Sequence, residues 1–89
     1  MHSNKETVIE LIAFLARDES RFERFVSLTG LTGQDVRNRI DDPVFHASVL
    51  DYALQDQTLV LEFAADHNIK PDTLLKLRQS LARQEHSDF

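Results

Sequence analysis

Residues that build tight turns are scarce in this chain, which has two Gly and two Pro among 89 residues. A sheet protein needs a turn about every 8–12 residues, and such turns depend on Gly and Pro. The chain is 42% apolar and 28% charged, which suits one core of modest size. The sequence therefore predicts an all-α fold, a single small domain of five or six short helices.

Capping residues indicate where the helices begin. Asp18, Thr32, Asp42 and Asp56 each precede an amphipathic stretch, and their side chains can accept hydrogen bonds from the free N–H groups of a helix start. The predicted helices run from 3 or 4 to about 17, from 18 to 30, from 32 to about 40, from 42 to about 55, from 57 to about 67, and from 71 to just before 88.

Helix ends and the last helix start are marked less evenly. Gly30 and Asn68 are residue types that adopt the left-handed conformation in which many helices stop. Lys70 stands in the capping position before Pro71, and its side chain has no hydrogen-bond acceptor. The start of the sixth helix is therefore the least defined boundary.

Large apolar residues recurring at helical spacing predict the core. We expect the domain to span residues 5–84, with flexible termini at 1–4 and 85–89. No apolar run approaches the roughly 20 residues of a membrane span, and the first residues do not resemble a secretory signal, so we expect a cytoplasmic protein. The predicted core consists of Leu11, Phe14, Leu15, Phe22, Phe25, Phe45, Leu50 and Phe63.

The two halves of the chain resemble each other at an offset of 38 residues. Asp18 matches Asp56, and Phe14 matches Tyr52. The other matches are Phe25 with Phe63, Gly30 with Asn68, Leu31 with Ile69 and Val36 with Leu74. Chance similarity between helical patterns and a duplicated three-helix unit both explain these matches.

Charge is unevenly distributed. Residues 41–69 contain acidic side chains and no Lys or Arg. Some of these acids stand at helix starts, where the helix dipole favours them. The segment is either a solvated face or an acidic docking surface. The net charge of −5 disfavours nucleic acid as a partner, because phosphate binding needs a basic surface.

The residue patterns of common active sites are missing. The chain has no Cys, and its four His do not have the spacing of helical metal sites. Its Ser residues do not lie in a Gly-x-Ser-x-Gly turn, and its paired carboxylates fall on predicted solvated helix faces. We therefore predict a protein that is not an enzyme and uses no metal or cofactor.

Several short strings together resemble a known family. They are Ala13-Phe14-Leu15-Ala16, Arg24-Phe25, Thr29-Gly30-Leu31, Asp42-Pro43 with Phe45, Val49-Leu50-Asp51 and Phe63-Ala64. With them the chain resembles, from about 7 to 81, a family of short uncharacterised bacterial proteins classed only as a domain of unknown function. The family has Asp where this chain has Lys70 before the second Pro. The resemblance implies an all-helical fold and transfers no catalytic or ligand residues.

One functional hypothesis is a helix-turn-helix regulator that binds DNA. Two helices around a turn with Gly are typical of such units, and Val26, Gly30 and Val36 have this spacing. The second helix offers side chains that can contact bases or phosphates, although it is short and the chain is acidic. These alternative nucleic-acid contacts are Gln34, Arg37, Asn38 and Arg39.

The other hypothesis, which we favour, is a protein-interaction or adaptor module of the bacterial cytosol that associates with itself or another protein. The last two helices carry more large apolar residues than one small core needs. We expect the helix over 57–67 to be central to the core and the last helix to be the contact surface. The predicted interface consists of Leu74, Leu75, Leu77, Arg78 and Leu81.

Overall fold

Six α-helices follow one another along the chain in the computed structural model, which describes the backbone of residues 4–86 and the side chains of residues 5–82. They are α1 (Asn4–Ala16), α2 (Glu19–Thr29), α3 (Gly33–Arg39), α4 (Pro43–Leu54), α5 (Gln57–Asp66) and α6 (Thr73–His86). No strand occurs between residues 4 and 86. The predicted all-α fold is confirmed, and every predicted helix lies within about two residues of its predicted bounds.

Side-chain caps fix the starts of four helices where the sequence predicts them. The Asp18 carboxylate accepts hydrogen bonds from the backbone N–H groups of Ser20 and Arg21, at 3.0 and 3.3 Å. Thr32 and Asp35 form a capping box, in which each side chain accepts from the other residue's N–H. Such caps stabilise a helix by about 1 kcal/mol each. Two further helices are capped by Asp42 and Asp56.

Left-handed residues follow α2 and α5. Gly30 has φ 72°, and its N–H donates to the Val26 carbonyl at 2.8 Å. Asn68 has φ 53°, and the next N–H, that of Ile69, donates to the Ala64 carbonyl at 3.0 Å. Both predicted helix stops are therefore confirmed, and each turns the chain sharply toward the following helix.

The predicted start of α6 at Pro71, with Lys70 as cap, is wrong. Pro71 and Asp72 form a turn, in which the Thr73 N–H donates to the Lys70 carbonyl at 3.0 Å. The first helical hydrogen bond of α6 runs from the Lys76 N–H to the Asp72 carbonyl, also at 3.0 Å. Asp72 therefore occupies the flanking position of this helix, because an acid suits a helix start and a Lys does not.

Helix α4 is the centre of the core and packs against α1, α2, α5 and α6. Its buried residues lie on nearly all sides: Phe45, His46, Ala47, Val49, Leu50 and Ala53. The expectation that the helix over 57–67 is central is therefore wrong. Helix α5 buries one face only and exposes Leu61, because it lies on one side of α4.

Six of the eight predicted core residues are fully buried: Leu11, Leu15, Phe25, Phe45, Leu50 and Phe63. The remaining two, Phe14 and Phe22, are only half-buried and pack against the edge of the core. The guanidinium groups of Arg17 and Arg21 lie 5.4 and 5.7 Å from the Phe14 ring centroid. Arginine side chains therefore cover the part of this ring that the core does not.

Contacts between aromatic rings relate the two halves of the chain. Phe14 meets Phe63 edge to face, with ring centroids 5.5 Å apart, and Phe25 meets Tyr52 edge to face at 5.1 Å. An offset of 38 residues turns Phe14 into Tyr52 and Phe25 into Phe63, so it exchanges one contact with the other. This is the relation that an approximate internal two-fold axis produces between α1–α3 and α4–α6.

The described part of the chain forms one small compact body with a radius of gyration of 12.6 Å, close to the roughly 12 Å expected for a folded chain of this length. Asn4 belongs to α1, and residues 85 and 86 belong to α6. The remaining predicted flexible residues, 1–3 and 87–89, lie outside the described residues. None of the helices between 4 and 86 is long and apolar enough to cross a membrane.

Candidate functional site

The structure divides the predicted α6 interface into buried and exposed residues. Leu74 and Leu81 are buried in the core, and Leu77 is half-buried against it. These three leucines therefore close the domain on α4 and are not available to a partner. Leu75 points the other way and is 47% exposed. The Arg78 guanidinium donates to the Asp51 carboxylate on α4, with 2.7 Å between Nε and Oδ1.

An apolar cleft between α5 and α6 surrounds Leu75, with a volume of about 390 Å³. We call it the α5–α6 cleft. Leu61, which is 48% exposed, faces it from α5, so two large apolar side chains stand in solvent at its mouth. It is lined by Leu54, Gln57, Val60, Leu61, Pro71, Asp72 and Leu75.

The connection between α5 and α6 creates this cleft. Asn68 reverses the chain after α5, and Ile69 packs against the core. The Pro71–Asp72 turn then delays the start of α6 by two residues relative to the predicted start. This local geometry separates the first turn of α6 from α5 and leaves the space that Leu61 and Leu75 flank.

A neutral charge pair lies at the edge of the cleft. The Lys76 ammonium and the Asp72 carboxylate, one helical turn apart on α6, lie 3.3 Å from each other. Both side chains are largely exposed, so their ion pair contributes little to stability. The cleft thus combines an apolar surface with one acid and one base at its edge.

The acidic segment over 41–69 is engaged within the chain. Arg17 pairs with Asp66 at 3.0 Å, and Arg21 pairs with Glu62. The other acids are held by a base or by a helix start: Asp41 by Lys5, Asp42 by Arg39 and its own helix, Asp51 by Arg78, and Asp56 by its own helix. The flanking segments therefore supply the bases that the middle segment lacks.

The alternative nucleic-acid contacts lie on α3. Gln34, Arg37 and Asn38 are exposed, whereas Arg39 is half-buried. The Arg39 guanidinium lies 3.7 Å from the Asp42 carboxylate and 5.8 Å from the Phe45 ring centroid. Three of these four side chains are therefore accessible, and the fourth is held by its neighbours.

Two side chains have a shifted pKa. Hydrogen bonds from the Thr32 backbone and hydroxyl lower the pKa of the Asp35 carboxyl, with a smaller contribution from Arg39. Burial raises the pKa of the Tyr52 phenol, and the charge of Arg24 partly opposes this shift. The Asp35 shift has a structural cause, the capping box of α3, and the Tyr52 ring packs on Phe25.

The two described histidines with assigned contacts bond to backbone carbonyls. The buried His46 ring bonds through Nε2 to the Ile40 carbonyl. The His67 ring lies against Phe63, with centroids 4.2 Å apart, and its Nδ1 is 3.2 Å from the Phe63 carbonyl. Within the described side chains, no group of three or more His, Asp or Glu could hold a metal ion.

Comparison with known families uses nearly the whole chain. Residues 2–84 match the model of a family described as a protein of unknown function, DUF3572. The chain belongs to this family. The predicted resemblance to an uncharacterised domain family is thereby confirmed. No curated protein and no solved structure matches the chain.

Proposed function

We propose that the chain is a non-catalytic protein-interaction module, of the bacterial cytosol, whose partner is a second copy of itself bound through the α5–α6 cleft. The observation that carries this proposal is the position of Leu61 and Leu75, both about half exposed at the mouth of one apolar cleft. Apolar side chains grouped around a concave surface are typical of protein interfaces.

The charges at the cleft favour a second copy as the partner. A two-fold axis through the cleft would place Asp72 of one copy near Lys76 of the other, and the reverse. Each copy therefore supplies an acid and a base, which makes the surface complementary to itself. The acids elsewhere are paired within the chain or cap a helix, so their charge opposes association less than the net value suggests.

Sedimentation equilibrium over a hundredfold concentration range tests this proposal. We expect a monomer–dimer equilibrium for the natural chain and at least tenfold weaker association for Leu75→Asp. Val44→Asp is the matched control, because Val44 is 59% exposed, lies in the first turn of α4 as Leu75 does in α6, and is outside the cleft. A strict monomer, or equal weakening by both variants, contradicts the proposal.

Duplex binding through α3 is the alternative function. It has less support, since α3 is seven residues long and Arg39 is engaged with Asp42. A gel shift at low salt tests it, because binding to duplex weakens steeply as salt rises. We expect no retention of duplex; retention that disappears in Arg37→Ala would favour the alternative.

A further inference from the structure

A second apolar depression lies between α1 and α3, on a different side of α4 from the α5–α6 cleft. We call it the α1–α3 groove, and its volume is about 320 Å³. Ile12 forms its nearly buried floor, and Ile9, which is 41% exposed, stands at its edge. Its remaining lining residues are Val36, Arg37 and Ile40.

The internal two-fold relation explains why this groove exists. The offset of 38 residues places Ile9 at Ala47 and Val36 at Leu74, and both Ala47 and Leu74 are buried between α4 and α6. The small side chain of Ala47 allows α6 to pack closely on α4. On α1 the larger Ile9 occupies that position, and α3 packs only sparsely against α1.

The length of α3 also leaves apolar surface uncovered. Helix α6 continues past Leu77 to Leu81, which is buried, whereas α3 ends at Arg39, the position equivalent to Leu77. The first half of the chain therefore has no counterpart of the leucine that α6 contributes one turn later. A helix from outside could supply it.

Charge indicates what kind of helix fits. Among the charged residues over 33–42, Asp35 forms the capping box, Arg39 pairs with Asp42, and Asp41 pairs with Lys5. Arg37, by contrast, is exposed, lines the groove and makes no ion pair or side-chain hydrogen bond among the described side chains. The groove thus joins an apolar floor to one available cation.

We propose that the α1–α3 groove is a docking site for an amphipathic helix of another protein, which inserts apolar side chains spaced four residues apart and places a carboxylate beside Arg37. Helices commonly bind in this way to grooves between helices. The groove is open along the side of Ile9, so it surrounds a helix face better than a small ligand, which needs to be mostly enclosed.

The test uses two synthetic peptides and the full-length chain labelled with nitrogen-15. The peptides share leucines spaced three and four residues apart and differ only in having Glu or Lys on the flanking positions. We expect the Glu peptide to shift the amide signals of Val36 and Ile40 with about fivefold higher affinity than the Lys peptide, the size expected from one exposed ion pair. Arg37→Glu should reverse this order.

Two variants locate the site. Ile9→Asp should abolish binding of both peptides, and Val44→Asp, equally exposed and outside the groove, should leave it unchanged. Leu75→Asp should also leave it unchanged, which separates this site from the α5–α6 cleft. The absence of binding, an order of affinity that Arg37→Glu does not alter, or signal changes confined to the cleft would overturn the proposal.

Two further probes distinguish other ligands with an anionic group. Decanoate combines an apolar chain with a carboxylate, and a short DNA duplex offers phosphates to Arg37. Stronger perturbation of Val36 and Ile40 by decanoate or duplex than by the Glu peptide would overturn the assignment to a protein helix. Weaker perturbation by both probes supports it.

Discussion

Phe25 packs edge to face against Tyr52, with ring centroids 5.1 Å apart and an angle of 80° between the ring planes. This contact joins α2 to α4 and therefore crosses from the first half of the chain to the second. The contact between Phe14 and Phe63 crosses in the opposite sense with nearly the same geometry, 5.5 Å and 81°. The two contacts hold the three-helix units together on both sides of the internal two-fold relation.

The burial of these rings predicts their effect on stability. Phe25→Ala and Phe63→Ala should each lower the free energy of unfolding by about 3–5 kcal/mol, because both side chains are fully buried and their removal leaves a cavity. Phe22→Ala should cost clearly less, since Phe22 is half-buried. Urea denaturation measures all three. An equal cost for Phe22→Ala and Phe25→Ala would contradict this description of the core.

The two glycines should respond in opposite directions to the same substitution. Gly30→Ala should lower the free energy of unfolding by about 1 kcal/mol, because φ at Gly30 is 72° and a Cβ disfavours that conformation. Gly33→Ala should raise it by about 0.4–1 kcal/mol, because an added Cβ meets no atom within 4 Å and restricts the unfolded chain. Thermal unfolding of both variants checks the difference, and a shared sign would be inconsistent with it.

Exchanging side chains between equivalent positions tests why α6 packs closely and α3 does not. Ala47→Ile introduces the residue found at position 9 into the buried α4–α6 contact, and the added volume should cost about 1–3 kcal/mol. Ile9→Ala should cost less than about 1 kcal/mol, since Ile9 is substantially exposed. Denaturant unfolding of the pair tests this, and a tolerated Ala47→Ile would show that α6 does not require a small residue there.

Tyr52 should make stability fall at alkaline pH. Burial raises the pKa of its phenol above the unfolded value, and this effect outweighs the opposing charge of Arg24. The folded state therefore holds the proton more tightly, so the contribution to stability is complete below pH about 10 and is lost as pH rises through the folded pKa. Tyr52 is the single tyrosine, so the ultraviolet absorbance of phenolate reports it alone.

The control for this titration is the same measurement in denaturant. We expect a higher midpoint for the folded chain than for the unfolded chain, and a weaker alkaline loss of stability in Tyr52→Phe. Identical midpoints in the folded and unfolded chain would show that the phenol is not desolvated.

Local signals made the helix boundaries predictable from the sequence. Asp18, Asp56 and Gly30 act through hydrogen bonds and backbone conformation within a few residues, so no knowledge of the tertiary fold is needed. The same holds for most of the core, because helical spacing identifies the buried face.

The candidate surfaces could not be predicted in this way. Leu74 and Leu75 are adjacent and chemically identical, yet one is buried and the other is exposed, because only the direction from which α4 contacts α6 distinguishes them. The α1–α3 groove depends likewise on how Ile9 separates two helices. The offset between the two halves was the one sequence signal that could have indicated it, through the pairing of Ile9 with Ala47.

The central claim, association of two copies through the α5–α6 cleft, is tested most directly by amide chemical shifts of the full-length chain over a dilution series. The account predicts that the signals of Leu61 and Leu75 move together with concentration, and that this movement is lost in Leu75→Asp and kept in Val44→Asp. Signals of Leu61 and Leu75 that stay constant from the lowest to the highest concentration would contradict it.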